Sequence, residues 1–251
     1  MKIKNLKLYL SNLPKLAYQH FLLENKDILA MQHLEPIFDD YLPWNSFAIR
    51  PSGLVKIINE IILNNRINIL ECGGGISTVY IAKILQGRGG HLYTIEHNAD
   101  WVEFLQKLLA QHDLTQYVSL VTAPLEDCPF NFYELNPSST PNKGSIRQEE
   151  SNLWYSLDII KDYLCDVEID LLIVDGPPAY TKNTMYARYP AVPFLKQYFA
   201  SDYAVILDDI RRSGEKKIVE RWQQELNIKF ERYPIQGGIA IAYSQAKFIK
   251  T

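Results

Sequence analysis

Acidic side chains follow several apolar runs of this sequence, at positions where a predicted strand would end. Glu71 follows the run INIL and stands just before three consecutive glycines at 73–75. Glu96 closes the run HLYTI, and Asp175 closes IDLLIV in the same way. Because the carboxyl ends of parallel strands open onto one crevice, these acids are expected to surround a single ligand site.

The glycine turn predicts a ligand that approaches the backbone at the start of a helix. A dinucleotide is the first candidate, but the Gly-x-Gly-x-x-Gly signature that begins at Gly73 has Thr78 in its last position. A charged Glu71 beside a pyrophosphate would also be repulsive, by a few kcal/mol at an effective dielectric constant of about 20. S-adenosylmethionine carries no phosphate, and Glu71 can attract its amino group directly or through water.

Glu96 is the second indication of an adenosine ligand. An acid at the end of the second strand can accept hydrogen bonds from both ribose hydroxyls. Proteins that bind NAD and proteins that bind S-adenosylmethionine share this feature, so it does not separate the two. His97 comes next in the sequence and is a candidate to contact the adenosine.

The alternation of apolar patterns predicts an α/β protein with a Rossmann-like seven-stranded sheet and helices on both faces. Strands are expected at 67–72, 91–96, 118–123, 169–175, 203–208, 228–233 and 238–244. Five of them would be parallel, and a short turn makes the last two an antiparallel hairpin. Among the predicted helices are 153–164, in which Trp154 and Tyr155 would pack, and 189–200.

Several motifs, taken in order, resemble the class I S-adenosylmethionine-dependent methyltransferases. These motifs are ECGGGIST at 71–78 and IEHN at 95–98. Further along, APLED, IVDGPPAY, RYPAV and ILDDIRRSGE resemble a bacterial branch of small-molecule O-methyltransferases. The resemblance covers about residues 50–250, including the terminal hairpin. It implies cofactor contacts at Glu71, Gly73, Gly75, Ser77, Thr78, Glu96, His97, Ala123 and Glu126.

Asp208 and Asp209 end the fifth predicted strand, beside Asp175 at the end of the fourth. Three converging carboxylates would repel one another unless a cation or shared protons intervened. Mg²⁺ suits such oxygen ligands, with Mn²⁺ or Ca²⁺ as alternatives, and would orient a substrate hydroxyl. Because consecutive strand residues point to opposite faces, both Asp208 and Asp209 reach one ion only if the strand bends. Otherwise one of them caps the next helix or pairs with an arginine at 211 or 212.

The resemblance also implies a catalytic role for Asp175. Catechol-type enzymes place a lysine base three residues after this aspartate, where the present chain has Pro178. The Asp-Asp pair is closer to macrocin- and aminocoumarin-type sugar O-methyltransferases, in which the fourth-strand aspartate is a candidate base. The acceptor would be a hydroxylated small molecule, either a sugar or a catechol-like ring. Candidate substrate contacts are Tyr180, Arg188 and Trp44.

Composition excludes several classes of partner. The chain has 251 residues, is 47% hydrophobic and has a net charge of −3, which gives no reason to expect nucleic-acid binding. No run approaches the roughly 18 apolar residues of a membrane span. The three cysteines form neither a disulfide framework nor a zinc site, so a cytoplasmic location is expected.

The sequence and its resemblance predict an N-terminal helical cap at 1–50 and a methyltransferase domain at 51–251. The N-terminal helices would pack on the domain or on a second copy in a homodimer, with peripheral membrane contact as the alternative. The polar loop at 136–151 is a candidate substrate lid or a surface insertion.

Three other functions stay open. One is methyl transfer to another small acceptor without a metal, and one is cofactor binding without catalysis. The third is an NAD-dependent oxidoreductase, which Glu71, Thr78 and the terminal hairpin disfavour.

Overall fold

The computed structural model describes residue 18, residues 21–132 and residues 153–247. The strands in this part of the chain are β1 Asn68–Cys72, β2 His91–Glu96, β3 Val118–Thr122, β4 Leu125–Asp127, β5 Leu153–Tyr155, β6 Ile169–Val174, β7 Phe199–Asp208, β8 Phe230–Tyr233 and β9 Ile239–Tyr243. The helices are α1 at 21–34, α2 Pro51–Leu63, α3 Ile76–Arg88, α4 Ala99–Gln111, α5 Leu157–Tyr163, α6 Ala191–Leu195 and α7 Ser213–Leu226. Short 3₁₀ turns occupy Glu35–Ile37, Thr115–Tyr117 and Lys196–Tyr198.

The main sheet has seven strands in the order β3–β2–β1–β6–β7–β9–β8. Neighbours from β3 to β7 are parallel, whereas β9 pairs antiparallel with both β7 and β8. The central strands are almost wholly apolar and buried, as expected of a parallel sheet covered on both faces. The predicted Rossmann-like sheet with a terminal hairpin is therefore confirmed.

Two predicted helices are wrong in part. Residues Leu153–Tyr155 form the strand β5, which pairs with β4 in a separate two-stranded sheet. Trp154 and Tyr155 are both buried there, and large aromatic side chains favour such a packed strand over a helix. The predicted helix at 189–200 shortens to α6 and a 3₁₀ turn. The strand β7 begins at Phe199, before the predicted start at residue 203. The earlier start was not predicted because Ser201 and Asp202 interrupt the apolar pattern.

The segment before α2 shares the main core. Leu34, Leu42 and Ile49 pack in the same buried cluster as residues of α2. Asp27 holds the start of α2, since Ser52 donates to its Oδ1 from the backbone N at 3.1 Å and from Oγ at 2.6 Å. Arg50 also pairs with Asp27, at 2.7 Å. The division at residue 50 stays a prediction.

The predicted homodimer rests on α1, which exposes Phe21, Ile28 and Leu29. It stays a prediction, and the loop at 136–151 lies outside the described residues. Among those residues, no helix combines the length and the apolar character that crossing a membrane requires.

Candidate active site

A cavity of about 510 Å³ opens at the carboxyl ends of β1, β2, β6 and β7. This is the edge at which open parallel sheets bind their ligands. Its wall includes the glycine turn after β1, Glu96 to Asn98 after β2, and Asp175 to Tyr180 after β6. Six residues of the segment before α2 form a lip on one side of the cavity. The lip consists of Pro43, Asn45, Ser46, Phe47, Ala48 and Ile49.

The glycine turn is packed directly against the turn that follows β6. Gly73 has φ of +92°, and a Cβ atom there would lie 2.8 Å from the backbone N of Gly176. The next residue, Gly74, donates its N–H to Glu96 Oε2 at 3.2 Å and accepts from Trp101 Nε1 at 2.8 Å. The turn is thus held on both sides, and its backbone lines the cavity without side chains in the way.

Glu71 lies behind the cavity wall. Its carboxylate is buried and accepts hydrogen bonds from Ser77 Oγ at 2.5 Å, Thr78 Oγ1 at 2.5 Å and Thr94 Oγ1 at 3.1 Å. Thr78 Oγ1 also accepts from the backbone N of Gly75 at 3.0 Å, which explains a threonine in the place of the third glycine. Of the acid and its partners, only Ser77 lines the cavity. In the structure Glu71 and Thr78 support the turn from inside, and their predicted contact with a ligand stays a prediction.

Burial raises the pKa of Glu71 to about 7 from 4.5, although the three hydroxyl donors oppose the shift. The folded protein then binds this proton more tightly than the unfolded chain does, so protonated Glu71 makes its full contribution to stability below pH 4.5. This contribution is lost as the pH rises through 7. A shift of this size corresponds to about 3 kcal/mol in the free energy of unfolding.

Glu71→Gln is accordingly expected to flatten the decline in stability between pH 4.5 and pH 7. Urea denaturation of wild type and variant at pH values across this range measures the slope. Glu126→Gln, which alters an exposed acid, serves as the control and keeps the wild-type slope. Equal slopes in wild type and Glu71→Gln would contradict the raised pKa.

Glu96 reaches the cavity as an ordered carboxylate. Its Oε1 accepts from the backbone N of His97 and of Asn98, both at 2.8 Å, while Oε2 accepts from Gly74. His97 Nδ1 lies 2.8 Å from the same Oε1, and the His97 ring lines the cavity. These contacts fix the acid at the end of β2, where ribose recognition is predicted.

The three aspartates converge as expected. One carboxylate oxygen from each of Asp175, Asp208 and Asp209 lies within 4.8 Å of the others. Asp209 follows β7 with φ of +61°, and this left-handed residue makes the bend that brings two consecutive carboxylates to one place. The burial of Asp208 and the nearby carboxylate of Asp209 raise the pKa of Asp208 to about 7.

Arg188 sits inside this cluster. Its side chain is only 4% exposed, and its Nη2 lies 3.0 Å from Asp175 Oδ1, while Nη1 lies 3.2 Å from Asp209 Oδ2. Arg212 Nη2 pairs with Asp209 Oδ2 as well, at 2.8 Å. Two of the three predicted metal ligands are thus already ion-paired with guanidinium groups, so the residues as arranged do not fit a divalent cation.

The environment of Asp175 also perturbs its proton affinity. Burial raises the pKa of Asp175 well above its usual range, and the guanidinium of Arg188 opposes this rise. The carboxylates of Asp208 and Asp209 raise it further. A raised pKa makes the carboxylate a stronger proton acceptor once it is ionised.

Three residues that the sequence pointed to lie away from the cavity. Trp44 packs against the core and Tyr80, with ring centroids 6.0 Å apart, whereas its neighbours form the lip. Ala123 is buried and Glu126 is exposed on β4, and neither lines the cavity. Tyr180, by contrast, lines the cavity and is 68% exposed.

Tyr155 and Phe47 are among the wall residues that were not selected as site residues from the sequence, since Tyr155 was expected to pack rather than to line the pocket. Tyr155 lines the cavity through a buried hydroxyl that has no hydrogen-bond partner in the described part of the chain. Phe47 forms part of the lip and is largely exposed. Neither residue lies in a recognisable sequence motif.

Comparison with known proteins gives a family model and a set of similar folds. The model of a methyltransferase domain family matches residues 70–210. An O-methyltransferase from Bacillus cereus, in complex with S-adenosylhomocysteine, is 13% identical over 91% of this chain and 97% of that chain, with a TM-score of 0.56. TomG, an O-methyltransferase from Streptomyces achromogenes, is 16% identical over 86% of this chain and 88% of that chain, with a TM-score of 0.52. A candidate caffeoyl-CoA O-methyltransferase from Staphylococcus aureus is 15% identical over 90% of this chain and 99% of that chain, with a TM-score of 0.56.

No curated protein matches the chain. At 11–16% identity the solved structures show a shared fold.

Proposed function

This chain belongs to the methyltransferase domain family, and we propose that it transfers the methyl group of S-adenosylmethionine to a hydroxyl oxygen of a small molecule. The observation that carries the proposal is a single cavity with two halves. One half contains the bare backbone of the glycine turn and the ordered carboxylate of Glu96. The other half contains Asp175, a carboxylate with a raised pKa.

The first half suits the methyl donor. Gly73 and Gly75 leave the backbone accessible to the methionine portion, and Glu96 offers an acceptor for ribose hydroxyls. The hydroxyl of Tyr155 and the ring of His97 stand beside these groups in the wall. S-adenosylmethionine, when bound, supplies a methyl group that is already activated by the sulfonium charge.

The second half suits an acceptor hydroxyl. Asp175 is the base in this proposal. It would take the hydroxyl proton as the oxygen bonds to the methyl carbon and the methyl–sulfur bond breaks, with S-adenosylhomocysteine as the leaving group. The ion pair with Arg188 uses Asp175 Oδ1, so Oδ2 is the oxygen assigned to the proton. The protein otherwise contributes alignment and the exclusion of water, and alignment of two reactants can supply roughly 7–11 kcal/mol.

The acceptor is proposed to be a ring with neighbouring hydroxyls, such as a sugar or a catechol. Tyr180 and Phe47 line the cavity from two different segments, and both rings are largely exposed at its mouth. Aromatic faces of this kind stack on planar rings and on the apolar faces of sugars. Tyr180 therefore stays a proposed substrate contact, whereas Trp44 does not.

Calorimetric titration with S-adenosylhomocysteine and, separately, with NAD⁺ tests the donor half. We expect saturable binding of S-adenosylhomocysteine and none of NAD⁺. Glu96→Gln should weaken this binding by about 10- to 100-fold, since hydrogen bonds to a charged group contribute about 1.5–3 kcal/mol. Glu126→Gln is the matched control, because Glu126 is exposed and lies outside the cavity.

Methyl transfer from labelled S-adenosylmethionine to a panel of sugars, catechols, phenols and amines tests the acceptor half. The proposal expects labelled product with the methyl group on oxygen. Binding of NAD⁺ without S-adenosylhomocysteine would revive the oxidoreductase. Binding of S-adenosylhomocysteine without transfer to any acceptor would favour a non-catalytic relative.

A further inference from the structure

We infer that Arg188 takes the place of a divalent cation in this site, so that the proposed methyl transfer proceeds without a metal ion. This role deepens the proposed function and rests on it, because it describes how the same cavity holds its base. Three carboxylates within 4.8 Å of one another require a positive partner, and the described structure provides one in the chain itself.

The guanidinium bridges two of the three carboxylates from separate strand ends. Nη2 contacts Asp175 after β6 at 3.0 Å, and Nη1 contacts Asp209 after β7 at 3.2 Å. A planar guanidinium presents its donors in a fixed fork, which lets one side chain bind two acids at once. A bridging metal would join carboxylates of the same two strand ends, so the guanidinium and the metal compete for the same oxygens.

Arg188 is anchored and cannot simply swing away. Its Nε donates to the carbonyl of Pro177 at 3.3 Å, and its Nη1 donates to the carbonyl of Asp208 at 3.4 Å. The whole residue is 3% exposed. Displacing it would leave two backbone carbonyls and two carboxylates without these partners, and would require a new place for a buried charge.

Charge repulsion between a divalent cation and the guanidinium of Arg188 also disfavours a metal ion in this site. A Mg²⁺ or Mn²⁺ ion bonds to carboxylate oxygen at about 2.0–2.6 Å, so an ion on Asp175 Oδ1 or Asp209 Oδ2 would stand close to the guanidinium. Two like-charged groups at that distance in a buried site repel strongly. Arg212 adds a second positive charge beside Asp209.

Manganese binding provides the test, because electron paramagnetic resonance counts free Mn²⁺ without any assay of methyl transfer. Protein with and without saturating S-adenosylhomocysteine is titrated with Mn²⁺. Wild type is expected to show no saturable site. Arg188→Ala removes the guanidinium from Asp175 and leaves Asp209 with Arg212 alone, and it is expected to gain a saturable Mn²⁺ site that wild type lacks.

Two further variants make the result specific. Adding Asp208→Asn to Arg188→Ala should abolish the acquired site, because it removes one of the three carboxylates. Arg212→Ala keeps Arg188 in place and should acquire no site. If Arg188→Ala fails to fold, Arg188→Met provides the same loss of charge with a similar volume.

A saturable Mn²⁺ site in wild type that Asp208→Asn weakens would overturn the inference. A folded Arg188→Ala or Arg188→Met protein that binds no Mn²⁺ would also overturn it, since the guanidinium would then not be what excludes the metal. The proposed function fails by a different result, namely the absence of S-adenosylhomocysteine binding, so the two failures are distinguishable.

Discussion

Asp175→Asn is expected to lower the rate of methyl transfer by about 10²- to 10⁴-fold, the range typical of removing a general base. The substitution keeps the shape of the side chain and takes away its capacity to accept the hydroxyl proton. Asp175 lines the cavity and is assigned to the acceptor in the proposed function, so binding of S-adenosylhomocysteine should remain close to that of wild type.

The comparison needs the rate of transfer at saturating donor and the calorimetric affinity for S-adenosylhomocysteine. Asp158→Asn is the control, because the side chain of Asp158 is 91% exposed and pairs with the exposed Lys161. The pH profile gives an independent readout. Since burial raises the pKa of Asp175, activity should rise as the pH rises through that pKa, and the variant should lose this limb. A variant that retains most of its activity would remove Asp175 from the role of base.

Gly176→Ala is expected to disrupt the junction between the two halves of the cavity. A Cβ atom at this position would clash with Tyr155 Oη and would lie 2.8 Å from Gly73 Cα. Tyr155 is 1% exposed and has no room to withdraw, and the second contact is with backbone. Overpacking of this kind costs about 1–3 kcal/mol of stability, and displacement of the glycine turn should weaken S-adenosylhomocysteine binding at least about tenfold.

Gly87→Ala is a suitable control, because a Cβ atom there meets nothing within 4 Å and the residue lies inside helix α3. Alanine favours a helix interior, so this variant should be as stable as wild type or more so. Combining Gly176→Ala with Tyr155→Phe removes the shorter contact and should recover part of the lost stability. The backbone of Gly73 prevents full recovery. If Gly176→Ala melted and bound like wild type, the close packing of the two turns would be wrong.

The strands of the main sheet could be predicted because strands buried on both faces have a distinctive apolar pattern, whereas their order in the sheet was not predicted. The runs at β1, β2 and β6 are continuous enough to be recognised alone, and the short turn before β9 fixes the hairpin. The class I methyltransferase resemblance is confirmed by the family match over residues 70–210. The strand β5 was not predictable in this way, because it is short and its partner β4 is distant along the chain.

The candidate site shows where sequence reasoning stops. The glycine turn, Glu96 and Asp175 were predicted from their places at strand ends, and all of them line the cavity. Arg188 was predicted to contact substrate, but its ion pairs with Asp175 and Asp209 depend on how three separate segments meet. Such distances are not encoded in any local pattern.

The charge of Glu71 differs from the charge that the sequence suggests. Its presumed charge was an argument against a pyrophosphate ligand, yet the structure buries it behind the wall with three hydroxyl donors. A carboxylate whose pKa is about 7 is only partly charged near neutral pH. The remaining grounds against a dinucleotide are therefore the family match and the terminal hairpin.

The buried carboxylates around Arg188 lower the thermal stability of the protein. Asp208 Oδ1 and both oxygens of Glu215 are buried without a hydrogen-bond partner among the described residues, although Arg212 Nη1 stands 3.6 Å from Glu215 Oε1. Apolar residues at these positions would avoid the unfavourable free energy of burying the acids. Proteins depart from such packing rules mainly at functional sites, so these acids agree with a functional site beside the end of β7.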